Sequence, residues 1–266
     1  MAWDAGIKFW DTANAYSNGI SERIIAKAIK QFNIPRNRLV IATKVFSPVF
    51  EDDISIAPVV GAAPDDPRLI NNGGLSRKAI FDANTPIKET MEALHDLVKA
   101  GKVRYLGASS MRAWQFVRMN AVAEKNGWTQ FVTMQDCYNL LYREEEREMA
   151  LLKFSTPLFN GQLARTPGAS TSRSKSDAGK PWLSTITDVE TEIINRVNEL
   201  AQKKGVPMAR IALAWILSKP AVTSPIVGAS KESHLKDAID ALSMKLTEDE
   251  VKYLEEPYIP KNLIHM

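Results

Sequence analysis

Three side chains carry most of the chemistry this sequence offers: the carboxylic acid of Asp11, the phenol of Tyr16 and the amine of Lys44. The first two lie in IKFWDTANAYSNG and the third in RLVIATKVF. Both segments run apolar and then turn abruptly polar, as buried parallel strands do where they emerge at a functional face. A free phenol has a pKa near ~10 and keeps its proton at neutral pH. A nearby ammonium favours the phenolate, and a carboxylate beside that ammonium holds and polarises it. An acid, an amine and a phenol brought together therefore make a device for passing a proton. The competing reading makes Tyr16 a loop aromatic and Lys44 a strand-end charge.

Strand and helix signals alternate along the chain, which argues for an α/β fold with a parallel sheet and helical crossovers. Strands are expected at Ile7–Thr12 and Leu39–Lys44, with a helix from about Ser21 to Phe32 between them. Residues 45–75, rich in Pro, Gly, Asp and Asn, read as a lid or a disordered stretch. Ser76 opens a short helix; Thr85 is expected to cap the next, with Pro86 at its first position and its end at Gly101. Strands follow at Val103–Ala108, Phe131–Gln135 and Leu151–Ser155, with a helix over Trp114–Asn126 and a short one from near Glu144. Beyond the polar loop ARTPGASTSRSKSDAGKPW come helices at Val189–Lys204 and Met208–Ser218, a strand at Ser224–Val227, a helix from near Glu232 and an extension that turns at Thr247. No repeat or linker divides the chain, so one domain over residues 1–266 is expected. Six strands are visible, two short of the eight that close a (β/α)8 barrel.

Composition narrows the function classes. Hydrophobic residues at 45% and charged residues at 24% are ordinary for a globular protein. A net charge of +3, with basic residues scattered among acidic ones, gives no footprint for nucleic acid. No run of 18 apolar residues exists, so no membrane span is expected. The single cysteine, Cys137, excludes an internal disulfide, and MAWDAGIKFWDT carries no signal-peptide pattern, so a cytoplasmic location is expected.

The segments WDTANAYSNGISE, IATKVF, GKVRYLGASSM, MQDCYNLLYREEEREM, IALAWILSKP and PIVGASKESHLKDAI resemble, in order, those of the aldo-keto reductases, closest to fungal and bacterial aryl-alcohol-type members. The resemblance implies a (β/α)8 TIM-barrel type fold, a small-molecule aldehyde or ketone as substrate, and NADP as cofactor. It makes Tyr16 the general acid that protonates the carbonyl oxygen as hydride arrives, with Lys44 and Asp11 tuning it. It assigns the nicotinamide to Ser109, Ser110 and Gln135, with Asp11 beside them. Ser110 departs from the family's usual Asn. The run FSTPLFNGQLAR gives Thr156, Pro157, Leu158 and Gly161 as equivalents of a family Trp-Ser-Pro-Leu run ending in Gly. No GxGxxG element is present, so a Rossmann site is not expected. Instead Gly228, Ser230, Lys231, His234 and Asp237, at a helix N-terminus, match the positions that take the phosphates and adenosine; helix dipoles favour anions there. Lys231 suits a 2′-phosphate.

The resemblance also implies missing pieces. The family's catalytic His ends the fourth strand, and none of His95, His234 and His265 stands at such a place. GGLSRKAIF joins DANTPIKET directly, so a segment carrying the fourth strand and that His is missing at Phe81–Asp82, and a shorter one near Met149–Ala150. The first strand and most of the first helix have no counterpart either. Three readings follow: an NADP-dependent carbonyl reductase, a cofactor-binding remnant without catalysis, and a regulatory subunit on an old reductase scaffold.

Overall fold

In the computed structural model, residues 1–45, 49, 85–149, 186–229 and 231–263 are described, together with the backbone of 155–158. Strands β1 (Phe9–Asp11) and β2 (Val40–Ala42) pair in parallel, with Phe9 opposite Val40, Trp10 opposite Ile41 and Asp11 opposite Ala42. Parallel neighbours need a crossover, and helix α1 (Ile20–Gln31) lies on the connection between them. A second sheet has the order β3 (Leu106–Ser109), β4 (Phe131–Cys137), β5 (Ser155–Leu158), with β4 and β5 parallel. The remaining helices are α2 (Ile87–Lys99), α3 (Ala113–Lys125), α4 (Asp188–Lys204), α5 (Met208–Leu217), α6 (Glu232–Asp240) and α7 (Glu248–Glu255).

The chain divides into two compact units: Met1–Leu106 with Gln115–Phe131, and Gly107–Trp114 with Val132–Met266. In the first, α2 buries Thr90, Met91 and Leu94, and α3 buries Phe116, Met119 and Ala123. Phe116 stacks on Phe131 with ring centroids 5.8 Å apart. The Asn120 side chain closes the same joint, accepting the Phe131 N–H at 2.8 Å and donating to its carbonyl at 3.3 Å.

The second unit is organised around α5. Its residues Ile211 to Ile216 are all buried, the mark of a helix enclosed on every side. Against it α4 presents Ile193, Ile194, Val197, Leu200 and Ala201, one apolar stripe at helical spacing. Both α4 and α7 begin with capping boxes, Thr187 with Glu190 and Thr247 with Glu250, each satisfying two orphan backbone donors. Gly205, at φ +65°, ends α4 in the left-handed conformation that glycine adopts without penalty.

Around this core runs a charged frame. Arg143 donates bidentately to Glu146, with both bonds at 2.9 Å, and pairs with Glu255 on α7 at 3.1 Å. Glu255 also accepts from Lys219 and, at 2.7 Å, from the indole of the fully buried Trp215. Tyr138 donates to Glu146 at 2.5 Å, and Tyr258 donates to the buried Glu144 at 2.6 Å. Burial and these carboxylate acceptors push both phenols well above their ordinary pKa.

Several expectations are corrected. Helix α2 starts at Ile87 with Pro86 as its N-cap, and no side chain caps it, so Thr85 does not. The strand expected at Ser224–Val227 does not form; Ile226 makes one bridge only. Pro225 has no N–H to give a ladder, and Val227 is exposed. The extension at Thr247 is a helix, α7. The strand expected at Leu151–Ser155 is described only from Ser155, and it runs on to Leu158 as β5, with Pro157 on the outermost of the described strands of its sheet. Residues 151–154, the lid and the Ser76 helix lie outside the described residues. The described strands number five, in two sheets, so the chain is α/β with parallel pairing and the eight-stranded closure is not formed by them. No described helix is long and apolar enough to cross a membrane.

Replacing Thr247 by Ala removes one capping bond from α7 and is expected to lower the unfolding free energy by about 1 kcal/mol. Thr247→Asp is expected to restore it, both read by urea denaturation.

Candidate functional site

In the first unit the acid, amine and phenol come together. Asp11 closes β1, and two residues beyond β2 stands Lys44. The Lys44 ammonium donates to Asp11 Oδ2 at 2.5 Å and to the Thr12 carbonyl at 3.0 Å, and lies 5.3 Å from the centroid of the Tyr16 ring. Parallel pairing continues past the strands: the Thr12 N–H bonds the Ala42 carbonyl at 2.8 Å and the Asn14 N–H bonds the Lys44 carbonyl at 3.0 Å. Asp11 is 9% exposed and Lys44 26%, so each ion depends on the other for the solvation it has lost. Tyr16, by contrast, is 43% exposed.

The loop behind Tyr16 is held in an unusual form. Ser17, Asn18 and Gly19 follow one another with φ of +52°, +50° and +82°. For a residue such as Ser17 the left-handed region costs roughly 1–2 kcal/mol. The surroundings supply the compensation. Asn18 is buried, the Tyr16 carbonyl accepts the Ser21 N–H at 3.3 Å, and Thr12 Oγ1 lies 2.8 Å from Ser21 Oγ. Thr43 donates to Glu22 at 2.5 Å, fastening the start of α1 to the end of β2.

In the second unit the cofactor candidates Ser109, Ser110 and Gln135 gather at neighbouring ends of β3 and β4. The Ser110 N–H donates to the Gln135 carbonyl at 3.1 Å, and the two serine hydroxyls are 3.3 Å apart. Opposite Gln135 in register stands Thr156, with Pro157 and Leu158 opposite Asp136 and Cys137. Gly228, Lys231, His234 and Asp237 lie on α6 and its approach. Lys231 is the N-cap residue, and no side chain caps the helix. Asp237 accepts from Arg210 of α5 at 3.0 Å, which makes it first a helix–helix ion pair. Gly161 and Ser230 lie outside the described residues. Hydroxyl and amide groups at strand ends suit a carboxamide, and an uncapped helix start beside a lysine suits a phosphate, so the described residues fit a nicotinamide dinucleotide.

No histidine stands with Asp11, Tyr16 and Lys44 among the described residues. His95 is occupied in α2: its Nδ1 accepts the Thr129 N–H at 3.2 Å and lies 3.1 Å from the Thr129 hydroxyl. No described cluster of His, Cys, Asp or Glu could hold a metal. A cavity of about 700 Å³ lies elsewhere, lined by Arg143, Lys219, Lys252 and Glu255 among others. Arg143, Lys219 and Glu255 are already committed to one another's pairing.

Asp136 is the residue that sequence reasoning missed. It is buried, and its Oδ1 accepts the Ser110 N–H at 3.2 Å. Loss of solvent, and then the charge of Glu145, push its pKa up to about 8. Burial likewise raises the neighbouring Cys137 to about 11, which keeps the thiol protonated and unreactive. The signal was a carboxylate inside an otherwise strand-like run, MQDCYNL.

The chain is similar to known proteins over most of its length. The aldo/keto reductase family model matches residues 1–68 and 74–259. Versiconal hemiacetal acetate reductase of Aspergillus parasiticus is 41% identical over 294 residues, covering 98% of this chain and 85% of its own length. A Schizosaccharomyces pombe protein assigned by name to the aryl-alcohol dehydrogenases is 44% identical, over 97% of this chain and 83% of its own. An aldo-keto reductase of Fusarium vanettenii is 42% identical over 98% of this chain and 80% of its own. The first of these alignments is longer than the 266 residues available here, so that relative carries segments this chain lacks.

The shifted carboxyl makes stability depend on pH. The unfolded Asp136 ionises near its ordinary value of 3.8, while the folded one keeps its proton to about 8. Folding therefore takes up a proton between those values, and stability falls as pH rises, on the order of 1.4 kcal/mol per unit, before levelling off. Asp136→Asn cannot ionise. Its advantage over the wild type is expected to be absent near pH 4, to grow through neutrality and to flatten above about pH 8, read by denaturant titration across pH.

Proposed function

This chain belongs to the aldo/keto reductase family, and we propose that it is an NADP-dependent reductase converting an aldehyde or ketone to an alcohol. The observation that carries the proposal is the Lys44 ammonium, fixed by Asp11 and facing the Tyr16 ring. Bound NADPH supplies the hydride. Tyr16, the most exposed of the three, gives its phenolic proton to the carbonyl oxygen, and Lys44 stabilises the negative charge left on the phenol. Asp11 keeps the ammonium in place, so that no reorganisation is needed when the proton leaves. Ser109, Ser110 and Gln135 hold the nicotinamide carboxamide, with Thr156, Pro157, Leu158 and Gly161 along the neighbouring strand. Gly228, Ser230, Lys231 and His234 take the phosphate end, where Lys231 favours NADP over NAD.

The substrates we favour are aromatic or polyketide-like carbonyls, as made in fungal secondary metabolism. The name of the Aspergillus relative, a reductase of versiconal hemiacetal acetate, supports that class. A second reading, a cofactor-binding remnant that does not turn over, draws its support from the lack of a histidine beside Tyr16 among the described residues.

Steady-state reduction of an aromatic aldehyde panel separates the two. Tyr16→Phe is expected to lower turnover by roughly 10²-fold or more, the usual worth of a positioned acid, while NADPH affinity stays unchanged. Equal turnover in the two proteins would contradict the role of Tyr16, and binding without turnover in the wild type would favour the remnant.

A further inference from the structure

Asp136 plays no part in the reduction as described, yet it touches the turn assigned to the cofactor. Side chains alternate across a strand, so Asp136 stands on the face of β4 opposite that of Gln135, where it is 1% exposed. The Ser110 N–H is shared between two acceptors, the Gln135 carbonyl at 3.1 Å and Asp136 Oδ1 at 3.2 Å. Ser110 needs that hold, because its φ of +54° lies in the left-handed region, which serine seldom adopts and asparagine tolerates. The turn also brings the Ser109 and Ser110 hydroxyls within 3.3 Å of each other. Asp136 Oδ2 is buried with no hydrogen-bond partner among the described residues. The charged group that acts on the carboxyl is Glu145, from the 3₁₀ turn at Glu144–Glu146, while the adjacent Cys137 side chain lies on the other face of β4.

We propose that Asp136 is a positioning residue for the nicotinamide cofactor: by accepting the Ser110 amide it fixes the left-handed turn that presents the Ser109 and Ser110 hydroxyls. This rests on the reading of those two serines as carboxamide ligands. Where the family places an Asn, whose side chain eases the left-handed conformation, this chain has a Ser and braces it from behind. The brace is sensitive to charge. Loss of solvent and the charge of Glu145 oppose the ionised carboxyl more than the Ser110 N–H favours it, so raising the pH toward and through about 8 loosens the turn.

The test pairs hydrogen exchange at the Ser110 amide with NADPH fluorescence titration, across pH 6 to about 9, in the wild type, Asp136→Asn and Asp136→Ala. Asp136→Ala is expected to lose Ser110 protection and to bind NADPH several-fold more weakly, as befits one lost hydrogen bond. Asp136→Asn keeps the acceptor but cannot ionise, so it should match the wild type's NADPH affinity near pH 6, exceed its Ser110 protection by a margin that grows as the pH rises toward about 8, and retain protection and affinity at the alkaline end, where the wild type loses both. Unchanged Ser110 protection in Asp136→Ala, or a parallel alkaline loss in the wild type and Asp136→Asn, would overturn the proposal. Should Asp136→Ala fail to fold, the pH comparison with Asp136→Asn decides alone. If Ser110 protection follows Asp136 while NADPH affinity does not, and Gln135→Ala also leaves affinity intact, the proposal falls with its premise, because the turn is then no cofactor site.

Discussion

The functional reading depends on one ion pair. Lys44 has lost most of its solvent, and Asp11 nearly all, and each offsets the other's lost solvation at 2.5 Å. The pair exists because β1 and β2 are parallel and in register. Asp11 stands opposite Ala42, and the ladder continues through Thr12 and Asn14 to the Lys44 backbone. A slip of one residue would turn Lys44 to the other face and leave both charges stranded. The left-handed run at Ser17–Gly19 follows from the same arrangement. The chain must bring Tyr16 back toward the ammonium and then enter α1 at once, and the local strain is compensated by the buried Asn18 and the Thr12–Ser21 contact.

The second unit solves a different problem. Helix α5 is buried on every side from Ile211 to Ile216, yet its indole and the neighbouring Arg143 bring polar groups into the same core. The carboxylates of Glu146 and Glu255 satisfy them; Tyr138 adds a hydrogen bond to Glu146, and Tyr258 donates to the neighbouring Glu144. Such a frame is costly to break at one point, because removing either partner leaves a buried charge behind. The acidic run REEERE is therefore an internal fastening. Within it Glu145 is raised to about 7 by burial and by the charges of Glu148 and Glu144, and it presses in turn on Asp136.

Much of this was legible in the sequence, because period and punctuation carry physical meaning. The apolar-then-polar switch locates β1 and β2 within two residues, and Gly101 marks a helix end, where the fold gives it a positive φ. What escaped was non-local. Ser224–Val227 has the composition of a strand, but a strand needs a partner as well as a propensity, and Pro225 cannot supply a donor. Thr247 was read as a turn, although Glu250 three residues on completes a capping box. Asp136 draws no attention in the sequence, and only the fold shows it under Ser110. The ion pair of Asp237 with Arg210 is equally invisible before the helices are packed.

The central claim, that the retained strand ends still hold a nicotinamide dinucleotide, is tested most directly by titrating the purified protein with NADPH and following cofactor fluorescence. Saturable binding, tighter for NADPH than for NADH, is the predicted result. Absence of binding at any accessible cofactor concentration would contradict the account, since Ser109, Gln135 and the α6 N-terminus would then be ordinary strand ends and a capless helix.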